Sequence, residues 1–226
     1  VAALSDDEIF GLFTFKDMTR FLAELIEAPL DFAESVLISG FRKPWKLPPL
    51  PWVMIAGLAA VIGWWIGGWR MALLASGCFI YFALFGKWKP SMLTLSLVMV
   101  AAPVAGLIGL GLGLAAFKAP WFEKILTPFL NVMQSMPHFS YLIPVAVFIG
   151  VSHKAGAIAT ILFAMPPMAR LTLLGLRGVS PEVREAGVMG GCTKRQMLLR
   201  VEIPAARNAL MVGVNQVIMQ CLAMVV

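Results

Sequence analysis

The chain has 226 residues, 60% apolar and 13% charged, with a formal net charge of +6 and a mean hydropathy of +0.86. An ordinary globular domain carries about 25% charged residues, and a soluble fold of this size has too much surface to cover with so few. A typical soluble enzyme, a disordered chain and a coiled coil are excluded, and a polytopic membrane protein remains.

The charge is unevenly placed. Residues 1–49 hold eight acids and five bases, whereas residues 50–226 hold thirteen bases and four acids. Excess Lys and Arg in a membrane domain report topology before they report a nucleic-acid partner. Residues 1–49 read as an extracytoplasmic amphipathic arm and linker. Within them, 17–39 place Phe21, Leu22, Leu25 and Ile26 at helical spacing against Asp17, Glu24 and Glu27, with Pro29 interrupting. One or two short helices are expected, lying on the membrane or packed on the rest of the domain. Residues 42–51 form a proline-rich linker that cannot continue a helix.

Six spans are expected in residues 50–226: 52–69, 71–86, 92–117, a segment broken at Pro137 into 121–136 and 139–152, then 155–176 and 208–226. A span takes about 20 helical residues. Trp64, Trp65 and Trp69 cluster as interfacial aromatics do. Gly63-x-x-x-Gly67 and Gly109-x-x-x-Gly113 offer close-packing faces between helices. Cys78, Cys192 and Cys221 lack metal-like spacing, and Cys78 and Cys221 lie in apolar runs, as buried small hydrophobes do. His138 and His153 stand near span ends and read as hydrogen-bonded or solvent-facing, so no metal site is expected. The chain begins at Val1 without a signal-peptide pattern and stops at Val226 inside an apolar run, so it reads as part of a longer protein.

The loop 177–207 orients the bundle. Its six bases (Arg177, Arg184, Lys194, Arg195, Arg200, Arg207) and three acids place it in the cytoplasm. Counting back five spans puts residues 1–49 outside, against the pull of Arg42, Lys43 and Lys46 beside the first span. No Asp, Glu or Lys lies at the centre of a span, and Arg170 sits toward the cytoplasmic end of the fifth, where it can snorkel. That pattern argues against an ion-coupled pump and suits a net-neutral solute. No phosphate loop is present: the nearest string, residues 190–195, lacks the Gly-Lys-Ser/Thr ending.

Within the loop, Ser180 is suited to an N-cap and Pro181 to the first helical position of a short helix reaching Met189. Gly190 and Gly191 end it. Thr193 to Gln196 reads as a capping box for a second helix, with Pro204 interrupting before the last span.

Glu185-Ala186-Gly187, then Gly191, then Val201-Glu202-Ile203-Pro204 resembles the EAA motif of bacterial ABC-importer permeases: E-A-A, three residues, G, nine residues, I-x-L-P. Spacing agrees throughout. Gly187 replaces the second Ala, Val201 replaces Ile and Ile203 replaces Leu. Gly187 weakens helix propensity while permitting closer approach by a partner. The stretches Gln134 to Pro137, Tyr141 to Pro144, Phe163 to Pro167, Arg170 to Thr172 and Gly213 to Gln216 are similar to the glycine betaine/proline/choline branch, so the resemblance covers roughly residues 92–226.

The resemblance implies an all-α polytopic bundle of the type I importer (MetI-like) fold in the bacterial cytoplasmic membrane. It implies a second permease copy, two cytoplasmic ATPase subunits that bind ATP and Mg, and an external solute-binding protein. The expected solute is a small quaternary ammonium or a relative of one: glycine betaine, choline, proline betaine or trimethylamine N-oxide. The chain itself would carry no cofactor and no catalytic residue. Pro181, Glu182, Arg184, Glu185, Ala186, Gly187, Gly191, Lys194, Arg195 and Pro204 would couple to the ATPase, with Glu185 docking and Arg184, Lys194 and Arg195 at the rim. For the residues themselves, a path-lining role is open to Asn215, Gln216 and Gln220, because amides in apolar helices need partners on another helix or in a water-filled cavity, and to Gln134 and Tyr141, which flank the break in the fourth segment, as broken helices often border transport paths. A stand-alone secondary transporter or channel is the alternative. A DNA-binding helix-turn-helix in residues 184–200 is disfavoured, because a loop of 31 residues is too short for its own core.

Overall fold

The computed structural model describes residues 8–9, 13–14, 26–40 and 48–225. They belong to two compact units, Glu24–Val100 and Val1–Ala23 with Ala101–Val226. The fold is helical, as expected. Its only strands among the described residues are β1 (Glu8–Ile9) and β2 (Phe13–Thr14), a two-residue antiparallel ladder with Glu8 opposite Thr14.

In the unit Glu24–Val100, residues 26–34 are helical (α1) straight through Pro29, contrary to the expected interruption. Proline keeps a helical φ, and its ring crowds the carbonyl four residues back; that residue, 25, lies outside the described ones, as do Phe21, Leu22 and Arg42. A π-turn, Ser35–Ser39, closes on Gly40 at φ 72°. Leu37 packs with Ile55 and Met92, so this part of the arm is seated on protein.

Helix α2 (Trp52–Leu84) merges the first two expected spans. Its one non-helical residue is Gly68, at φ 75° and ψ −168°, where the chain turns sharply. A side chain on Gly63 would meet the Met71 carbonyl oxygen at 2.8 Å, and one on Gly67 would collide with the Met71 side chain. These glycines therefore let the two arms of α2 approach, the packing role expected of them. Each arm has about 16 residues, roughly 24 Å of helix. Trp64, Trp65 and Trp69 are exposed around the turn, Trp65 at 90%. Cys78 is also exposed, against expectation; it sits in an apolar run whose surface faces outward.

Helix α3 (Trp88–Lys118) passes from one unit into the other. Beyond Ala101 follow α4 (Pro120–Ser135), α5 (Phe139–Ile149) and α6 (His153–Arg177). After the loop comes α10 (Arg207–Val225). By length and composition α2, α3 and α6 are apolar and long enough to cross a bilayer.

Helix α6 is the centre of this unit. Residues 164–169 are all buried, so no face is left for solvent. It packs most extensively on α10, and small residues set the approach. A side chain on Gly175 would meet Ala209 Cβ at 2.6 Å, and one on Gly213 would meet Met168 Sδ at 2.6 Å. The paired numbers run in opposite directions, so the helices are antiparallel. Gly109 and Gly113 do the same for α3: built side chains would lie 2.6 Å from the carbonyl oxygens of Met165 and Ala169. With little hydrophobic force between helices in lipid, such close contact is what holds them together.

Helix α4 also runs antiparallel to α6. Leu126 and Leu130 pack on Ala169 and Leu173. Two polar clasps flank this seam, Arg170 Nη2 to Asn131 Oδ1 and Arg177 Nη2 to Glu123 Oε2. Arg170 is therefore held by a neighbouring helix as well as placed where it could snorkel.

Gly113→Val should lower stability by about 1–3 kcal/mol, because the added atoms meet backbone that cannot step aside. Gly111→Ala should be near neutral, since open space surrounds that position. Thermal unfolding of the two variants in one detergent checks the contrast.

Candidate functional site

The loop between α6 and α10 folds as a short helix, a glycine turn and a return segment. Helix α7 (Pro181–Met189) starts with Pro181 at its first turn, where the missing N–H is no loss. Ser180 stands at the N-cap but makes no side-chain bond to the helix backbone. Its hydroxyl engages Glu182 instead. A backbone hydrogen bond at Glu182 and then the Ser180 hydroxyl hold that carboxyl below the usual carboxylate range.

The end of α7 is a Schellman motif. Gly191 N–H donates to Val188 O at 2.9 Å and Cys192 N–H to Gly187 O at 3.1 Å, the paired bonds of that motif. Gly191 takes the left-handed φ of 73°, whereas Gly190 does not (φ −73°). One of the two glycines is thus required by backbone conformation. The expected capping box is present: Thr193 Oγ1 accepts from Gln196 N–H at 3.4 Å, and Thr193 N–H donates to Gln196 Oε1 at 2.9 Å.

The return segment departs from expectation. Helix α8 (Lys194–Gln196) continues as a π-turn, Met197–Glu202, and then as α9 (Ile203–Ala205). Helical conformation runs through Pro204, and the break falls at Ala206. Proline cannot bond to the carbonyl four residues back and its ring crowds that carbonyl. The wider π register just before Pro204 accommodates both.

Arg184 turns back toward the membrane helices, although a rim position was expected. Its Nη2 donates to Leu176 O in the last turn of α6 at 2.7 Å. Its Nε lies 3.1 Å from Glu202 Oε1. The Nε–H is not aligned on the carboxylate, so the attraction is that of an ion pair. The guanidinium carbon lies 5.9 Å from the Phe117 ring centroid at the end of α3. Glu202 is buried and Arg184 partly exposed. Breaking such a pair falls between the ~0.5 kcal/mol of an exposed one and the ~3–5 kcal/mol of a buried one. Glu202 occupies the variable position of the loop motif, and reading the motif alone passes over it. The available signal is an acid standing between Val201 and Ile203.

Gly187 is buried beside Arg184 on the same face. A Cβ there would meet Met197 Cε at 2.7 Å and Val201 Cγ2 at 3.3 Å. The close approach expected of Gly187 is therefore made by the return segment of this chain. Glu185, Ala186, Lys194, Arg195 and Pro204 are exposed. So are Val188 and Met189, at 67% and 83%. These two give the end of α7 an apolar tip among charges, which counting charges overlooks; Val183, in its first turn, is exposed as well, at 40%.

The proposed path residues lie on separate elements. Gln134 is exposed near the end of α4, beside the break at Met136–His138. Tyr141 is buried, and its hydroxyl donates to Met133 O. Four residues after Met133 stands Pro137, which has no N–H to offer that carbonyl. The tyrosine hydroxyl replaces the missing donor across the break. The Tyr141 ring lies 5.7 Å from Phe163 of α6. Asn215 and Gln216 are exposed on α10 and Gln220 is half-buried, while Leu210, Gly213, Val217 and Cys221 form its buried face. No group of three or more His, Cys, Asp or Glu suited to a metal occurs among the described residues.

Residues 106–225 match the family described as binding-protein-dependent transport system inner membrane component. The chain is 52% identical over 209 residues to the trimethylamine N-oxide transport system permease protein TmoV of Ruegeria pomeroyi, covering 92% of this chain and 32% of that protein. It is 43% identical over 225 residues to TmoV of Pelagibacter ubique, covering 93% and 31%. To the glycine betaine/proline betaine transport system permease protein ProW of Escherichia coli it is 36% identical over 201 residues, covering 89% and 55%. The chain thus spans about a third of the first two relatives and about half of the third.

Gly187→Ala should be near neutral, within about 1 kcal/mol: it improves helix propensity, while the flexible end of Met197 must move and Val201 Cγ2 must give slightly. Gly191→Ala should cost about 1–2 kcal/mol, because an L side chain is strained at its φ. Comparative tryptic cleavage rates at Lys194 and Arg195 check this: little changed in the first variant, faster in the second.

Proposed function

Since the chain belongs to the binding-protein-dependent transport system inner membrane component family, we propose that it is the permease part of an ATP-driven importer for a small quaternary-ammonium or related solute. It is a multi-pass protein of the bacterial cytoplasmic membrane. The observation that carries the proposal is α7: a short helix, capped at its end by a Schellman turn, clasped from within by Arg184 and presenting Val188 and Met189 outward. An apolar tip rimmed by charge on a braced helix suits a groove on a partner protein, of the helix-in-groove kind.

In this reading α7 enters a groove on a cytoplasmic ATPase, which binds ATP and Mg and carries out all catalysis. Exposed Glu185, Lys194 and Arg195 meet the edges of that groove. A second permease copy completes the path, and an external binding protein delivers solute. The names of the relatives favour trimethylamine N-oxide and glycine betaine as solutes. Both are small and net neutral, in keeping with apolar helices that carry no central acid.

The topology follows from where the charges gather. Glu123, Arg177, Arg184 and Glu202 collect at one end of α4, α6 and the loop. The positive-inside rule places that end in the cytoplasm. Helix α6 then enters from outside, and α4 with α5 crosses once outward, broken at Pro137. The two arms of α2 form the first two of six crossings, and residues 1–49 lie outside.

In proteoliposomes holding the full protein, its ATPase and its binding protein, uptake should require ATP. Glu185→Ala and Gly191→Asp should leave membrane insertion and ATP hydrolysis in place while solute moved per ATP falls. Full coupled uptake in both variants would contradict the proposal.

A further inference from the structure

We infer that Arg184 is the positioning residue that makes α7 move as one body with the membrane helices, acting through Glu202 and the Leu176 carbonyl. This rests on the permease reading above and goes beyond it. It assigns a role to a pair of side chains that face inward, away from the docking tip.

Covalently, α7 hangs on two short connections, Gly178–Ser180 with one glycine and Gly190–Cys192 with two. Left to these alone, a force on its outer tip would swing the helix without moving the membrane domain. Two contacts on the inner face prevent that. Gly187 seats the helix on Met197 and Val201. One turn earlier, Arg184 reaches Leu176 O of α6 at 2.7 Å and Glu202 of the return segment at 3.1 Å. Its guanidinium also stands over Phe117 of α3. A single side chain thus ties α7 to the ends of α6 and α3 and to the stretch that leads into α10.

The chemistry suits arginine in particular. Its planar, always-charged guanidinium donates to the Leu176 carbonyl while its charge lies against the Glu202 carboxylate, so one group serves two elements at once. A lysine ammonium could take the carbonyl or the carboxylate, but it would not hold both in the same geometry. Glu202 is the last residue of the π-turn. It is therefore fixed where the helix register changes, one turn before the break at Ala206.

The test uses the full-length protein with its ATPase and binding protein in proteoliposomes, and labelled trimethylamine N-oxide and glycine betaine as probes. Solute moved per ATP hydrolysed is measured for R184Q, E202Q, R184K and the double variant R184Q/E202Q, with ATPase co-purification measured in parallel. The ATPase should still co-purify. Each single variant should lower the ratio about threefold or more, with the double variant no lower than the singles, as for two residues acting as one unit. R184K should resemble R184Q, because the fork is what bridges. An unchanged ratio, effects that multiply in the double variant, or loss of ATPase co-purification would overturn the inference. Absence of ATP-dependent uptake by the unaltered protein would instead remove the permease reading itself.

Discussion

The guanidinium of Arg184 is the constraint on which the rest of the loop depends. It lies where the ends of α3, α6 and the return segment converge, and it meets an aromatic face, a helix-end carbonyl and a buried carboxylate there. The last carbonyls of any helix lack the usual partner four residues on; Leu176 O has a long bond from Val179 N–H at 3.4 Å and needs the shorter one, 2.7 Å, that Arg184 supplies. Glu202, buried, needs a cation. One side chain on α7 satisfies both needs, and the inner face of α7 is thereby set against the membrane domain. The outer face, with Val188 and Met189, is left free for a partner. In the proposed function, separating an inner clasped face from an outer docking face is what would let a helix of nine residues transmit force.

The membrane-embedded part obeys a related rule. Lipid offers no hydrogen bonds, so each carbonyl freed by a proline must find a donor within the protein. The Tyr141 hydroxyl on Met133 O meets that need at the Pro137 break. Elsewhere cohesion comes from closeness. Gly109, Gly113, Gly175 and Gly213 bring α3 and α10 onto α6 at distances where a Cβ would collide. The clasps Arg170–Asn131 and Arg177–Glu123 add polar register between α4 and α6. Helix α6 is therefore fixed on several sides, and its last turn is a firm anchor for Arg184.

Features that depend on near neighbours in sequence were legible there. The capping box at Thr193, Pro181 at the start of α7, the break at Pro137 and the glycine packing faces each follow from a few consecutive residues, and each is present. Less legible were features set by distant residues. That Gly191 and not Gly190 takes the left-handed turn depends on how the chain leaves α7. That Gly187 faces Met197 and Val201, and that Arg184 turns inward to Glu202, requires the return segment to fold back. Helicity through Pro204 was missed because a π-turn absorbs the proline. Cys78 shows the limit of burial arguments in a membrane protein, where an apolar run is as suited to facing lipid as to facing protein. Gln134 on α4 and Asn215 and Gln216 on α10 remain exposed on two different elements, so their shared role rests on the assembled path proposed above.

The central claim is that α7 and the membrane helices move as one body. Spin labels at Met189, on the exposed tip of α7, and at Lys118, at the exposed end of α3, span the clasp. They would be introduced as cysteines in a protein freed of its three native ones, and their separation measured by pulsed electron resonance in the assembled transporter without nucleotide and with ATP trapped. A single narrow distance, the same in both states, is the result expected of a braced helix. A distance that shifts or broadens on ATP binding would mean that α7 swings on its glycine connections, and would contradict the account.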